Sequence, residues 1–181
     1  MKKKWVKPVV ALVVIASLNV AAYLLLASEN GQAFLLWLNE LVYLGAFGLA
    51  LVANLTVLVP VPYNAVILAM TQSADLPWLI ALAAAAGSVL GEVTGFLVGK
   101  TGREVVKDTR FTKWLSEQMQ DKTKAAFAMY VVSLPPNPAF DVAGITAGAA
   151  GLKFRFFALW VFLGRFTRFM LFAFVANNWL T

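Results

Sequence analysis

The sequence predicts an all-α polytopic membrane protein, with an N-terminal transmembrane helix followed by an inverted repeat of re-entrant hairpin plus transmembrane helix. Three observations predict it. Of 181 residues, 61% are hydrophobic and 13% charged, against roughly 45–50% and about 25% in soluble domains, so too few charges remain to cover a water-facing surface. The basic residues are gathered between long apolar runs, and two P-x-P tripeptides interrupt apolar stretches at corresponding places. Cys and His are absent, which removes disulfides, Cys/His metal sites, thiol nucleophiles and imidazole acid–base chemistry. No cofactor, metal or enzymatic activity is therefore expected. The net charge of +6 would suggest nucleic acid in a soluble protein, but in a membrane protein it reports orientation.

Met1 to Pro8 carries Lys2, Lys3, Lys4 and Lys7 ahead of the uncharged run 8–28, long enough at 1.5 Å per residue to cross a hydrocarbon core of about 30 Å. A basic stretch before an apolar one also marks a secretory signal, but no A-x-A site precedes Glu29. A retained span within 1–31 is the expectation. Residues 32–59 are again apolar, with Asn39, Glu40 and Asn54, and end in Pro60-Val61-Pro62. The return piece 63–73 is too short to span. Residues 77–99 are long enough, broken only by Glu92, and close at Lys100-Thr101-Gly102-Arg103.

The segment 100–124 holds seven basic residues and four acidic ones. Val106, Phe111, Trp114, Leu115 and Met119 approximate an apolar stripe, which predicts a surface or interfacial amphipathic helix over 103–124. After 125–134 come Pro135-Pro136-Asn137-Pro138 and a small-residue run through Gly144, Gly148 and Gly151; 154–179 is the last span, carrying Arg165 and Arg168. Placing Pro60-x-Pro62 over Pro136-x-Pro138, an offset of 76 residues, divides a single transmembrane domain, 1–181, into 1–31, a first repeat 41–99, the segment 100–124 and a second repeat 125–179.

Charge decides the topology. With the N-terminal lysines cytoplasmic, three simple spans would put the basic residues of 100–124 outside, against the rule that placed the N-terminus. If 43–74 instead enters and leaves from the outer face, 77–99 runs inward and that segment is cytoplasmic. A second hairpin, 126–150, then returns Lys153 and Arg155 to the inside. The two units acquire opposite orientations, the plan of many secondary transporters. Pro60, Pro62, Pro136 and Pro138 would form the hairpin tips, since proline lacks an N–H and turns the preceding residue from helix. Broken backbone at depth must line a cavity or be buried in protein. A proline pair that merely kinks a helix is the alternative.

Gly87, Gly91, Gly95 and Gly99 recur every fourth residue and leave one helix face bare for close packing. Glu92 lies beside them at depth, where a carboxylate needs a cavity, a partner or a proton. Arg165 and Arg168, three apart and so on one face, need a carboxylate, carbonyls or an anionic ligand. Asp141 is the natural protein partner and a bound phosphate the functional alternative. Asn54, Asn64 and Asn137 add hydrogen-bonding groups near the tips. Gly99-Lys100-Thr101 resembles the end of a phosphate-binding loop, but Thr94 stands where that motif needs glycine.

This pattern resembles the DedA/VTT family, relatives of the SNARE-associated Golgi proteins. The resemblance spans about 41–175 and rests on Val59-Pro60-Val61-Pro62-Tyr63-Asn64, on Gly87-Ser88-Val89-Leu90-Gly91-Glu92 with Gly95 and Gly99-Lys100, and on Pro136 to Pro138 leading to Ala147-Gly148 and Leu152. It implies two opposed re-entrant hairpins and movement of lipids between leaflets of a bacterial inner or plasma membrane, undecaprenyl phosphate and phospholipids among them, with proton coupling. Asn64 and Asn54 stand where the family carries acids, and Ser133 and Ala139 near its second-tip arginines. That shifts the expectation from proton coupling toward passive scrambling or a different substrate. The expected function is a multi-pass flippase or scramblase of an anionic, phosphate-bearing lipid, with Arg165, Arg168, Asp141, Glu92, Asn64 and Asn137 lining the path. The partners are membrane lipids and protons, no nucleic acid, and a homo-oligomer is admitted. The alternative is a non-transporting scaffold acting through the helix 103–124.

Overall fold

The computed structural model describes residues 41–55, 63–102, 109–136 and 139–179, together with Ser17, Leu24 and Ser28. The expected N-terminal span and the tip residues Pro60, Pro62, Asn137 and Pro138 lie outside the described residues. Among those described, every regular element is a helix: α1 Val42–Leu55, α2 Tyr63–Ser73, α3 Pro77–Gly91, α4 Val93–Thr101, α5 Arg110–Gln118, α6 Lys122–Ser133, α7 Ala139–Ala149 and α8 Phe154–Trp179.

Local chemistry sets the boundaries. Pro77 opens α3 in its first turn, where its missing N–H would be unpaired anyway. The α3–α4 stretch is one interrupted helix, Pro77–Thr101, and like Phe154–Val175 it is long and apolar enough to cross a membrane. Its regularity lapses only at Glu92, whose backbone stays helical at φ −70°, ψ −9° and whose carbonyl still accepts from the Phe96 N–H at 3.0 Å. At 1.5 Å per residue, α1 is ~21 Å long and α2, α6 and α7 are shorter, all less than a bilayer core of about 30 Å. Helix α7 ends where Gly151 takes φ 78°. Leu152 N–H then reaches the Ala147 carbonyl at 3.2 Å and Gly151 N–H that of Gly148 at 3.0 Å, pairing the last carbonyls in a Schellman turn.

The expected amphipathic helix over 103–124 is corrected. Helix α5 covers only Arg110–Gln118, started by a reciprocal cap between Thr109 and Thr112, and 103–108 lie outside the described residues. Asp121 then starts a new helix by accepting from the Lys124 N–H at 2.9 Å, so Lys122 and Lys124 belong to the first turn of α6. Two N-caps so close together force two helices, because each takes its own residue out of helical geometry. Leu115 and Met119 are buried as the stripe predicts, but Trp114 is exposed.

The shorter helices pack on the two long ones. Helix α1 lies along α3 and α6 along α8, α7 packs on α4, and α2 touches both α3 and α8. Glycine permits these approaches. A Cβ on Gly87 or Gly91 would come under 3.0 Å from the Phe47 or Leu51 carbonyl oxygen of α1, and one on Gly99 or Gly148 likewise from that of Ile145 or Phe96. The bare face predicted for 87–99 thus receives the shorter helices, α1 at one end and α7 at the other.

The core is divided. One apolar cluster joins α1, α2, the first half of α3 and Phe169; the other joins Val89, Phe96, α5, α6, α7, Phe157 and Val161. Between them lies a layer of buried polar side chains: Ser88 and Glu92 along α3–α4, Arg165 and Arg168 along α8, and Asn54 near the end of α1. Outside, Leu44, Val52, Leu82, Leu90, Leu97, Phe127, Leu159, Leu171 and Phe174 are exposed, an apolar coat far beyond the scattered singles of a soluble surface.

Candidate functional site

Arg165 and Arg168 project from the middle of α8, about 16 and 21 Å along from Phe154, and both are buried. Arg165 is enclosed by five groups. Its Nη2 is ion-paired with Glu92 Oε1, and its Nη1 donates to Asn54 Oδ1 and Ser88 Oγ and to the Tyr63 hydroxyl at 3.1 Å. The Phe140 ring lies 4.4 Å from the guanidinium carbon, a cation–π contact. Asn54 is turned correctly because its Nδ2 donates to the Ala50 carbonyl at 2.6 Å. Ser88 precedes Glu92 by four residues and shares its helix face.

Arg168 is held more sparingly. Its Nη2 donates to the Tyr63 hydroxyl at 2.9 Å, and its guanidinium lies 4.6 Å from the Phe169 ring centre. Tyr63 is itself fixed edge-on against Phe169, ring centres 6.4 Å apart. One phenol oxygen from the start of α2 therefore accepts from both arginines. The Nε atoms of Arg165 and Arg168 are buried without a hydrogen-bond partner.

Of the residues singled out from the sequence, Arg165, Arg168, Glu92 and Asn54 come together. Of the two acids, Glu92 makes the close ion pair with Arg165, and Asp141 lies beyond it but within electrostatic range of the same guanidinium. Asp141 is half-buried in the first turn of α7, where a carboxylate complements the helix N-terminus, and its neighbour Phe140 is the residue that reaches Arg165. Asn64 is half-buried with an unpartnered Oδ1, and no hydrogen bond joins it to the arginines among the described residues. Pro136 is exposed. Three participants escaped the sequence reading: Tyr63, Ser88 and Phe140. The available signals were that Tyr63 directly follows a P-x-P and that Ser88 sits one turn before Glu92.

Among the described residues no group of three acidic side chains gathers; the groups that meet are guanidinium, carboxylate, amide and hydroxyl. Two helices fit to cross a bilayer, an apolar exterior and a charged layer between two apolar cores define a helical membrane protein. The VTT domain family model matches residues 59–178, and the chain belongs to that family, the domain of the DedA and SNARE-associated Golgi proteins, which is generally non-enzymatic. No curated protein and no solved structure matches the chain.

Proposed function

We propose that this chain is a multi-pass transporter, of flippase or scramblase type, that moves an anionic, phosphate-bearing lipid such as undecaprenyl phosphate or a phospholipid through the polar layer between two re-entrant hairpins of opposite orientation. The observation that carries the reading is a pair of buried arginines at mid-helix of which Arg165 alone is ion-paired, to Glu92, while Arg168 has no carboxylate within ion-pair distance among the described residues. Burying an uncompensated cation in apolar surroundings is costly, and a transported anion would compensate it. The helix lengths support the hairpins, since over the described residues neither arm of either unit is long enough to cross, and each unit's arms belong to one of the two apolar clusters. The offset of 76 residues that aligns the prolines also sets Glu92 against Arg168, opposite charges at matching places in the two spans.

In proteoliposomes, a fluorescent phospholipid or polyprenyl phosphate is expected to change leaflet in a protein-dependent way, and more slowly with Arg165→Ala. Absence of any protein-dependent movement rejects the transporter. Topology is tested separately, using the lack of native cysteine. Single cysteines at exposed Leu41 and Asp75 are expected to react with an impermeant maleimide from the outer face, and those at exposed Ser116 and Lys153 from the cytoplasmic face. Leu41→Cys and Asp75→Cys labelling from opposite faces would mean that the first unit spans the bilayer.

A further inference from the structure

We infer that the two arginines are not equivalent: Arg168 together with the Tyr63 hydroxyl is the phosphate-binding element, and Arg165 is a positioning residue. The inference deepens the transport reading and rests on it for the lipid nature of the ligand. Arg165 has little left to offer a ligand. Its Nη1 carries two N–H groups and faces three acceptors, Asn54, Tyr63 and Ser88, while its Nη2 and its charge are engaged by Glu92. Arg168 differs on each count. It is 5% exposed, pairs with no carboxylate among the described residues, makes one hydrogen bond there and keeps a buried, unpartnered Nε. A guanidinium has five N–H donors in one plane, so most of this fork is unused.

Tyr63 completes the element. Its oxygen accepts from both arginines, and its own O–H remains a donor that a ligand oxygen can accept from. A phosphate oxygen suits both: guanidinium forks bind phosphate through paired, charge-assisted hydrogen bonds, and the phenol adds a further donor. Tyr63 is also the first residue of α2, and the positive dipole end of a helix favours an anion at the same place. Because the phenol sits on a hairpin arm and the arginine on a span, the ligand would bridge two elements of the fold.

The test uses the full chain purified in detergent, titrated with inorganic phosphate, dihexanoyl phosphatidic acid and uncharged dihexanoylglycerol while thermal unfolding is followed. Phosphatidic acid is expected to raise Tm and the glycerol not to. Arg168→Gln is expected to weaken that binding about tenfold or more, as loss of a charged hydrogen-bond partner does, and Tyr63→Phe to weaken it less. Without ligand, Arg168→Gln is expected to melt at or above wild type, because it removes an unpaired buried charge, whereas Arg165→Lys melts lower yet binds with near wild-type affinity. Equal binding by wild type and Arg168→Gln overturns the inference, as does no binding of either anion, or a loss in Arg165→Lys as large as in Arg168→Gln. Should Arg165→Lys not fold, Arg168→Lys decides: retained charge with at least partial binding supports the assignment, and binding as weak as in Arg168→Gln overturns it. Free phosphate bound as tightly as the lipid supports the Arg168–Tyr63 site but assigns it a soluble anion. Anion binding that depends on Arg168 in a protein that moves no lipid rejects the transport reading alone.

Discussion

Arg165→Met is expected to destabilise the protein by about 3–5 kcal/mol, the range for removing one partner of a buried ion pair. The loss exceeds the value of the contacts removed, because Glu92, 3% exposed, is left buried without its ion-pair partner, and Asn54, Ser88 and Tyr63 lose a shared donor. The double variant Glu92→Met with Arg165→Met is expected to recover most of it, since apolar side chains of similar size replace a buried pair at little cost. Unfolding titrations in mixed micelles on the wild type, both single variants and the double variant give the coupling energy. Additive losses would mean that the two groups do not depend on each other, and the central ion pair would have to be abandoned.

Gly99→Leu and Gly148→Leu are also expected to destabilise the protein. At each position a Cβ would come within 3.0 Å of a backbone carbonyl oxygen on the facing helix, Ile145 for one and Phe96 for the other. Backbone cannot rotate away as a side chain can, so α4 and α7 would have to part, and overpacking of this kind costs typically 1–3 kcal/mol or more. Gly48 provides the contrast: nothing lies within 4 Å of its Cβ position, and Gly48→Ala within α1 is expected to stabilise by roughly 0.5–1 kcal/mol. Thermal unfolding of the three variants side by side is the measurement. If Gly99→Leu melts with wild type, the close approach of α4 to α7 is wrong.

Much of this architecture was legible because its signals are local. The span beginning at Pro77 follows from apolar length, and the bare helix face from a four-residue glycine period. The segment 100–124 was misread because a stripe of five apolar residues suggested one helix, while two capping residues, Thr109 and Asp121, each began another. Periodicity averages over a window; a cap acts at a single position, so the stripe hid the break.

The site was half legible for a related reason. A buried arginine announces its own need, as it cannot shed its proton, and so Arg165, Arg168 and Glu92 stood out in an apolar run. The sequence by itself determined that lipid surrounds this protein, where two helices long enough to cross lie, and that two cations at depth require partners. Only the tertiary structure decided that Glu92 and not Asp141 meets Arg165, that Tyr63 links both arginines, and which helices the glycines admit. Those contacts join residues 73 to 111 apart in the chain. Apolar length and helical period are properties of neighbouring residues, whereas ion pairing depends on which faces α3, α4, α7 and α8 turn toward one another when they pack.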